Sequence, residues 1–298
     1  MQSNGNVASL ALANGEVLTF REAGQGNKAV VLLHGNMSSS AHYDLLLENL
    51  ADDYKLYAFD LRGFGDSSYS TAITSLQELA HDIAEATNCL GLSSFAVVGW
   101  STGGGVALEL SALYPQIVEK IVLIDSVGVK GYPMYRKDAF GQPILSEQLK
   151  TKEEVANDAV QVLPILQAYS TKNRAFLRFV WDTLIYTRNK PEAERYERYI
   201  DGMLKQRNLV DIDYALVTFN MTDTDNGVVM GSNRLRQIMS PVLLVHGEND
   251  LVVPVTESMA TAKMLGELAT LIVLPECGHS PLTDNLPGLE AALRSFLG

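Results

Sequence analysis

The chain has 298 residues, 47% hydrophobic and 19% charged, with a net charge of −12. That length suits one large α/β domain or a core domain carrying an insertion, and the composition is that of a folded globular chain, not a disordered one. The acidity argues against nucleic acid as a partner, because a polyanion needs a basic face; two cysteines, Cys89 and Cys277, are too few for a disulfide framework or a zinc site.

The first residues, 1–6, lack the basic region and apolar core of a leader, and no run approaches the 18 or so apolar residues of a membrane span. The expectation is a cytoplasmic protein; its oligomeric state is left open. Residues 7–23 alternate weakly around Asn14-Gly15, a hairpin signal, so two short strands are predicted to start the fold. Ala29-Val30-Val31-Leu32-Leu33 is apolar throughout, as expected of a parallel strand covered on both faces, and it ends in His34-Gly35-Asn36. Residues 41–51 fit a helix, 55–60 a strand, and Ser75 followed by Glu78 resembles a capping box that starts a helix reaching about Cys89.

The stretch from Phe95 to Leu108 passes from an apolar run through Gly99-Trp100-Ser101-Thr102-Gly103 into helix-forming residues. Such a strand-to-helix turn is tight enough to need Gly99 and Gly103, and it exposes Ser101 at the strand's C-terminal end, beside the free N–H groups of a helix N-terminus. The helix should stop near Tyr114, since Pro115 disfavours helical geometry in the residue before it. Lys120–Asp125 is the next strand, and the β-α-β-α alternation implies right-handed crossovers in a doubly wound sheet.

The alternation breaks near Ser126 and resumes at Pro241. The intervening residues show helical periodicity and turn signals at Gly131, Pro133, Gly141-Gln142-Pro143 and Pro191, with hardly a strand-like run. An insertion of this length needs packing of its own, so residues 127–238 are expected to form a helical cap between core segments 1–126 and 239–298. About half of the chain's aromatics fall there, among them Tyr135, Tyr169, Phe176, Phe179, Trp181 and Tyr186. Most are expected to build the cap's own small core and a minority to face a ligand. The polar run 221–227 lacks the acid that closes an EF-hand loop and reads as a solvated turn.

A serine hydroxyl needs a base to become a nucleophile at neutral pH, and histidine suits that task. His42 and His81 fall in predicted helices; His34 and His246 close apolar strands. His279 alone sits in a loop after the last strand, flanked by Gly278 and Pro281, and the order Ser, acid, His fits this kind of turn. For the acid that orients it, Asp250 follows the strand 242–247 within a rigid loop closed by Pro254, while Asp125, ending an earlier strand, is a rival. The oxyanion donors are expected to be the main-chain N–H groups of Thr102 and Asn36. His34 is read as bracing its loop by hydrogen bonding, and Asp60 and Arg62 as a loop-bracing pair.

Taken together, His34-Gly35-Asn36, Gly99-Trp100-Ser101-Thr102-Gly103-Gly104, Gly247-Glu248-Asn249-Asp250 and Gly278-His279-Ser280 resemble the α/β-hydrolase fold family across essentially the whole chain. The resemblance implies a mostly parallel eight-stranded sheet, a cap after the sixth strand, a Ser-His-Asp triad (Ser101, His279, Asp250), no cofactor, and a small-molecule ester as substrate. His-Gly-Asn is similar to haloalkane dehalogenases, but those carry aspartate where this chain has Ser101. The elbow is similar to that of cofactor-free haloperoxidases. The combination of His34-Gly35-Asn36-Met37-Ser38-Ser39-Ser40, Asp60-Leu61-Arg62-Gly63-Phe64-Gly65 and the elbow looks most like bacterial intracellular short-chain polyhydroxyalkanoate depolymerase-type hydrolases. A C–C bond hydrolase, lactonase, thioesterase or perhydrolase on the same triad, and a non-catalytic binding protein on the scaffold, stand as the alternatives.

Overall fold

The computed structural model describes residues 5–298; residues 1–4, part of the stretch expected to lack a leader, lie outside the described residues. Strands β1 (Asn6–Ala11) and β2 (Val17–Ala23) form the expected hairpin, with Gly15 at φ 86° in its turn. Then come β3 (Lys28–Leu33), a 3-10 turn over Ser40–Tyr43, α1 (Asp44–Leu50), β4 (Tyr54–Phe59), α2 (Leu76–Cys89), β5 (Phe95–Trp100), α3 (Thr102–Leu113) and β6 (Val118–Ile124). After a long segment the alternation returns with β9 (Val242–Gly247), α9 (Val255–Leu265), β10 (Ala269–Leu274), α10 (Pro281–Asp284) and α11 (Leu286–Leu297). That segment holds a hairpin, β7 (Tyr135–Lys137) with β8 (Pro143–Gln148), and helices α4 (Lys152–Ala156), α5 (Leu163–Ser170), α6 (Arg174–Leu184), α7 (Ala193–Met203) and α8 (Leu209–Thr218).

The sheet runs β1-β2-β4-β3-β5-β6-β9-β10, antiparallel at the β1-β2-β4 edge and parallel from β4 onward. Period-two alternation sorts its central residues onto two apolar faces. Val30, Leu32, Val98, Val122, Ile124, Leu243 and Val245 pack with Leu46 and Leu47 of α1 and Leu289 and Leu293 of α11. Val31, Leu33, Val97, Ile121, Leu123, Val242 and Leu244 pack with Leu79 and Ile83 of α2, Leu110 of α3 and Leu265 of α9. Strand order reverses at β3, which lies between β4 and β5, and a crevice at the C-terminal ends of strands is expected where order reverses. Ser101 and Asn36 leave β5 and β3 at that edge.

Three expectations need correction. The 127–238 segment is not free of strands: Asp138 Oδ1 accepts from the N–H groups of Phe140 and Gln142 (2.8 and 2.9 Å), closing the turn between β7 and β8. β7 is three residues long, too short to show alternation in sequence. Nor do the segment's aromatics form a separate core, for Trp181, Tyr186, Tyr196 and Tyr199 join Trp100 and Tyr43 in one continuous cluster with the sheet face that packs on α1 and α11. Finally, α2 starts where expected, but Ser75 makes no side-chain cap bond. Glu78 instead reaches back to accept from the Thr74 N–H at 2.9 Å. The run 221–227 is tied up by its own side chains, Asn226 Oδ1 accepting from Val228 and Val229 (both 3.0 Å).

Candidate active site

Ser101 stands between β5 and α3 with φ 55° and ψ −119°, a strained backbone for a residue with a Cβ. The turn persists because its neighbours are glycines: a Cβ on Gly99 would lie 2.3 Å from the Gly103 carbonyl oxygen, and one on Gly103 2.0 Å from that of Leu33. The hydroxyl is therefore pushed out at the sheet edge, where the loop after β10 brings His279 within reach. His279 Nε2 lies 3.0 Å from Ser101 Oγ, and Nδ1 lies 2.7 Å from Asp250 Oδ2. Asp250 can only accept when ionised, so Nδ1 carries the proton and Nε2 is left to accept from the serine hydroxyl. Trp100 adds a brace from the elbow, its Nε1–H donating to the His279 carbonyl at 2.8 Å.

Asp250 is held before it meets the histidine. Its Oδ1 accepts from the N–H groups of Val252 and Val253 (2.7 and 3.0 Å). Burial pushes this carboxyl up, but His279, His246 and the Val253 N–H outweigh it and leave the group well below the ordinary carboxylate range. Asp125 is the contrasting case, one strand over. Its Oδ1 accepts from the Gly247 N–H at 2.7 Å, its Oδ2 is buried with no partner among the described residues, and burial pushes its carboxyl up despite His246 nearby. An unpaired buried oxygen favours the neutral acid. The structure thus brings Asp250, not Asp125, into hydrogen-bonding contact with His279.

Between the two acids lies His246, whose Nε2 meets the Val253 carbonyl at 2.9 Å, Asp250 Oδ2 at 3.3 Å and Asp125 Oδ1 at 3.7 Å. Three acceptors around one nitrogen require a proton there. Burial opposes the charge on His246, but Asp250 and Asp125 raise its affinity for protons above the ordinary value. Asp125, His246 and Asp250 are the one group of ligating side chains among the described residues close enough to share an ion, their atoms within 4.8 Å of one another. Apart from Asp125 Oδ2, their polar atoms are already bonded to Gly247, Val252, Val253, Ser258 and His279, so the set fits a proton-holding network better than a metal centre.

On the opposite side of Ser101, Gly35 abuts the serine so closely that an added Cβ would lie 2.9 Å from the Ser101 Cβ. Neither the Asn36 N–H nor the Thr102 N–H meets a protein acceptor among the described residues, and both remain available at the elbow. His34 braces this loop as expected: Nδ1–H donates to the Gly35 carbonyl (2.8 Å), and Nε2 accepts from Leu61 N–H (3.1 Å). Burial holds its ring below the ordinary histidine value. Asp60 and Arg62 do brace loops, but not as a pair. Asp60 accepts from the N–H groups of Ser40 and Asp66 (2.7 and 2.9 Å), whereas Arg62 makes a two-pronged bond to Asp82 (2.6 and 2.9 Å).

Sequence reasoning missed a second polar set from the 127–238 segment. Asn36 Nδ2 donates to Asp213 Oδ1 of α8 at 2.8 Å, and Asn36 Oδ1 accepts from Gln206 Nε2 at 2.7 Å. Gln206 Oε1 in turn accepts from Met37 N–H and the Tyr169 hydroxyl (3.1 and 2.9 Å). These partners lie some 170 residues from Asn36, and no local pattern marks them. Among the described residues, no helix is long and apolar enough to cross a membrane.

A doubly wound sheet that presents a serine, a histidine and a carboxylate in one row at its C-terminal edge defines a hydrolase of the α/β type. The chain belongs to the alpha/beta hydrolase fold family, whose sequence model matches residues 28–286. It is 29% identical over 292 residues to a non-heme haloperoxidase of Rhodococcus erythropolis, across 96% of this chain and 97% of that one. It is 28% identical over 291 residues to a bifunctional esterase/perhydrolase of Acinetobacter calcoaceticus, across 95% and 97%. A crystallised hydrolase of Pseudomonas aeruginosa shares the fold at a TM-score of 0.73, with 22% identity and 99% of each chain covered.

Proposed function

We propose that this hydrolase cleaves carboxylic esters of small molecules through an acyl-enzyme on Ser101. The reading is carried by the unbroken row from Asp250 through His279 to the Ser101 hydroxyl, with spacings of 2.7 and 3.0 Å. His279 takes the hydroxyl proton as Ser101 Oγ bonds to the acyl carbon, and Asp250 stabilises the imidazolium. Negative charge on the tetrahedral oxygen is met by the N–H groups of Asn36 and Thr102, fixed in place beforehand by the strained elbow and the Asn36 side-chain bonds. Collapse breaks the bond to the alcohol, which leaves with the proton from His279. Water then repeats the attack, His279 again taking its proton, and the acid departs as Ser101 regains hydrogen.

The segment 127–238 serves as a cap over this row, anchored to the 1–126 core by Arg195, which pairs with Asp44 and Glu48 at 2.6 and 2.7 Å. Short acyl chains, hydroxyalkanoates among them, are the favoured substrates, in keeping with the resemblance of the His34–Ser40 and Asp60–Gly65 stretches to short-chain depolymerase-type hydrolases. A perhydrolase side activity is the second reading, favoured by the likeness to the Acinetobacter esterase/perhydrolase; hydrogen peroxide would replace water in the deacylation. Hydrolysis of a panel of acyl chain lengths, hydroxybutyrate oligomers, lactones and thioesters tests the assignment. Ester turnover falling with chain length is expected, and a lactone or thioester turned over in preference to every ester would contradict it.

A further inference from the structure

His279 reaches Ser101 from a loop, and the main chain on each side of the histidine is held by a side chain. Its own carbonyl accepts from Trp100 Nε1 at 2.8 Å. One residue earlier, the Gly278 N–H donates to Asp284 Oδ2, also at 2.8 Å. Asp284 ends α10, the four-residue helix that follows the histidine, so its carboxylate turns back onto the loop the chain has just left. The other oxygen is committed as well: Oδ1 accepts from the Asn189 N–H at 2.8 Å, and the Asp284 carbonyl accepts from Asn189 Nδ2 at 3.0 Å. Two oxygens that each take one N–H call for a carboxylate, because an amide would turn a donor toward one of the two donors.

Asn189 belongs to the 185–189 stretch, which follows α6 and crosses the loops that carry both His279 and Asp250. Arg188 Nη2 donates to Asn249 Oδ1 at 2.9 Å, one residue before Asp250, and the Asn249 N–H donates to the Cys277 carbonyl at 2.8 Å. The fit is tightest at Gly278, where an added Cβ would lie 2.5 Å from Thr187 Oγ1 and 3.1 Å from Asp284 Oδ2. Thr187 Oγ1 is buried without a hydrogen-bond partner among the described residues, so at this contact Thr187 supplies volume and no bond. Close-packed groups have little slack, and a shift in one is passed to the other. A general base displaced by about 1 Å can lose on the order of 10²-fold in rate.

We propose that Asp284 is a positioning residue for His279, and that by accepting from Gly278 and Asn189 together it ties the placing of the imidazole to the seating of the 185–189 stretch. The inference rests on the ester-hydrolase reading and deepens it by naming the group through which the 127–238 segment acts on the chemical step.

The test is a cycle of variants on one short ester, p-nitrophenyl butyrate. Asp284→Ala is expected to lower kcat by about tenfold to a hundredfold with KM nearly unchanged, and Asp284→Asn, which keeps one acceptor, should lose less. In a His279→Ala background the same Asp284→Ala change should cost nothing further, because a residue that acts through the imidazole has nothing left to position. A merely structural Asp284 would lower the rate by the same factor in both backgrounds, which would overturn the proposal, as would wild-type turnover by Asp284→Ala. The link to the 185–189 stretch is read from a second pair. Gly278→Ala should be slow, Thr187→Ala should restore much of its rate by making room for the new methyl, and Thr187→Val, which fills that room, should not. An unimpaired Gly278→Ala, or a loss that Thr187→Ala leaves untouched, would overturn the link. If Ser101→Ala cleaves the ester as fast as the wild type, the ester-hydrolase reading falls and this inference with it. Turnover that needs Ser101 and His279 but is indifferent to Asp284 removes only the role proposed for Asp284.

Discussion

The two sides of Ser101 are built by different means. On the His279 side every group is delivered by a strand end or the loop that follows it, and main-chain bonds fix the carboxylate before the histidine meets it: Asp250 is held by Val252 and Val253 and the His279 loop by Trp100. On the Asn36 side the groups are held by side chains reaching across from the 127–238 segment, Gln206 and Asp213 among them. The first side tolerates little variation in geometry because the sheet register sets it; the second can change with one substitution in α8. On the proposed reading, chemistry belongs to the sheet edge and selectivity to the segment whose side chains reach it.

Breaking the first side should have the largest effect. Ser101→Ala is expected to lower kcat for esters by on the order of 10⁴ or more, since the row acts as a unit, with little change in the folded structure by circular dichroism. Asp250→Asn removes the acceptor that fixes the His279 tautomer and should lower kcat by about 10³ to 10⁴, whereas Asp125→Asn should lower it by less than about tenfold, because its carboxyl makes no bond to His279. Steady-state rates for the two variants decide the matter. A larger loss in Asp125→Asn would transfer the acid role to β6.

Smaller effects sharpen the comparison. Trp100→Phe deletes the indole donor to the His279 carbonyl and should lower kcat by a few-fold to about tenfold through a loosened histidine, with about 1 kcal/mol of stability lost; denaturant melts beside rate measurements check both. Asp125 also gives stability a pH dependence of defined sign. Its folded-state value is raised by burial, so the native state retains a proton that the unfolded chain releases near pH 4. The contribution is complete below that unfolded value and is lost as pH rises through the folded one. Asp125→Asn cannot ionise, so its melting temperature should fall less than that of the wild type between about pH 5 and pH 8. Identical slopes would show that Asp125 stays charged throughout.

The difference between the sides also explains what the sequence could disclose. Gly99-Trp100-Ser101-Thr102-Gly103 is legible because the tight turn leaves no room for a Cβ at its first and last residues, and β3, β5, β6 and β9 are legible because strands buried on both faces are apolar throughout. His279 and Asp250 follow from chain order once the elbow is placed. Asp213 and Gln206 are invisible locally, since their meaning comes from Asn36, far away in the chain. His246 looks like any strand-closing histidine until folding places it between two carboxylates, and the Asp82 partner of Arg62 lies on a helix whose pattern reads simply as amphipathic. The β7–β8 hairpin escapes notice because the three residues of β7 are too few to carry a period.

Mass analysis of the intact protein after exposure to a fluorophosphonate, followed by peptide mapping, probes the nucleophile itself. One adduct per chain, carried by Ser101 and absent from both Ser101→Ala and protein that has been preincubated with a slow ester substrate, is the predicted result. Undiminished ester turnover by protein in which Ser101 is fully labelled, or an adduct on another residue that alone abolishes activity, would contradict it.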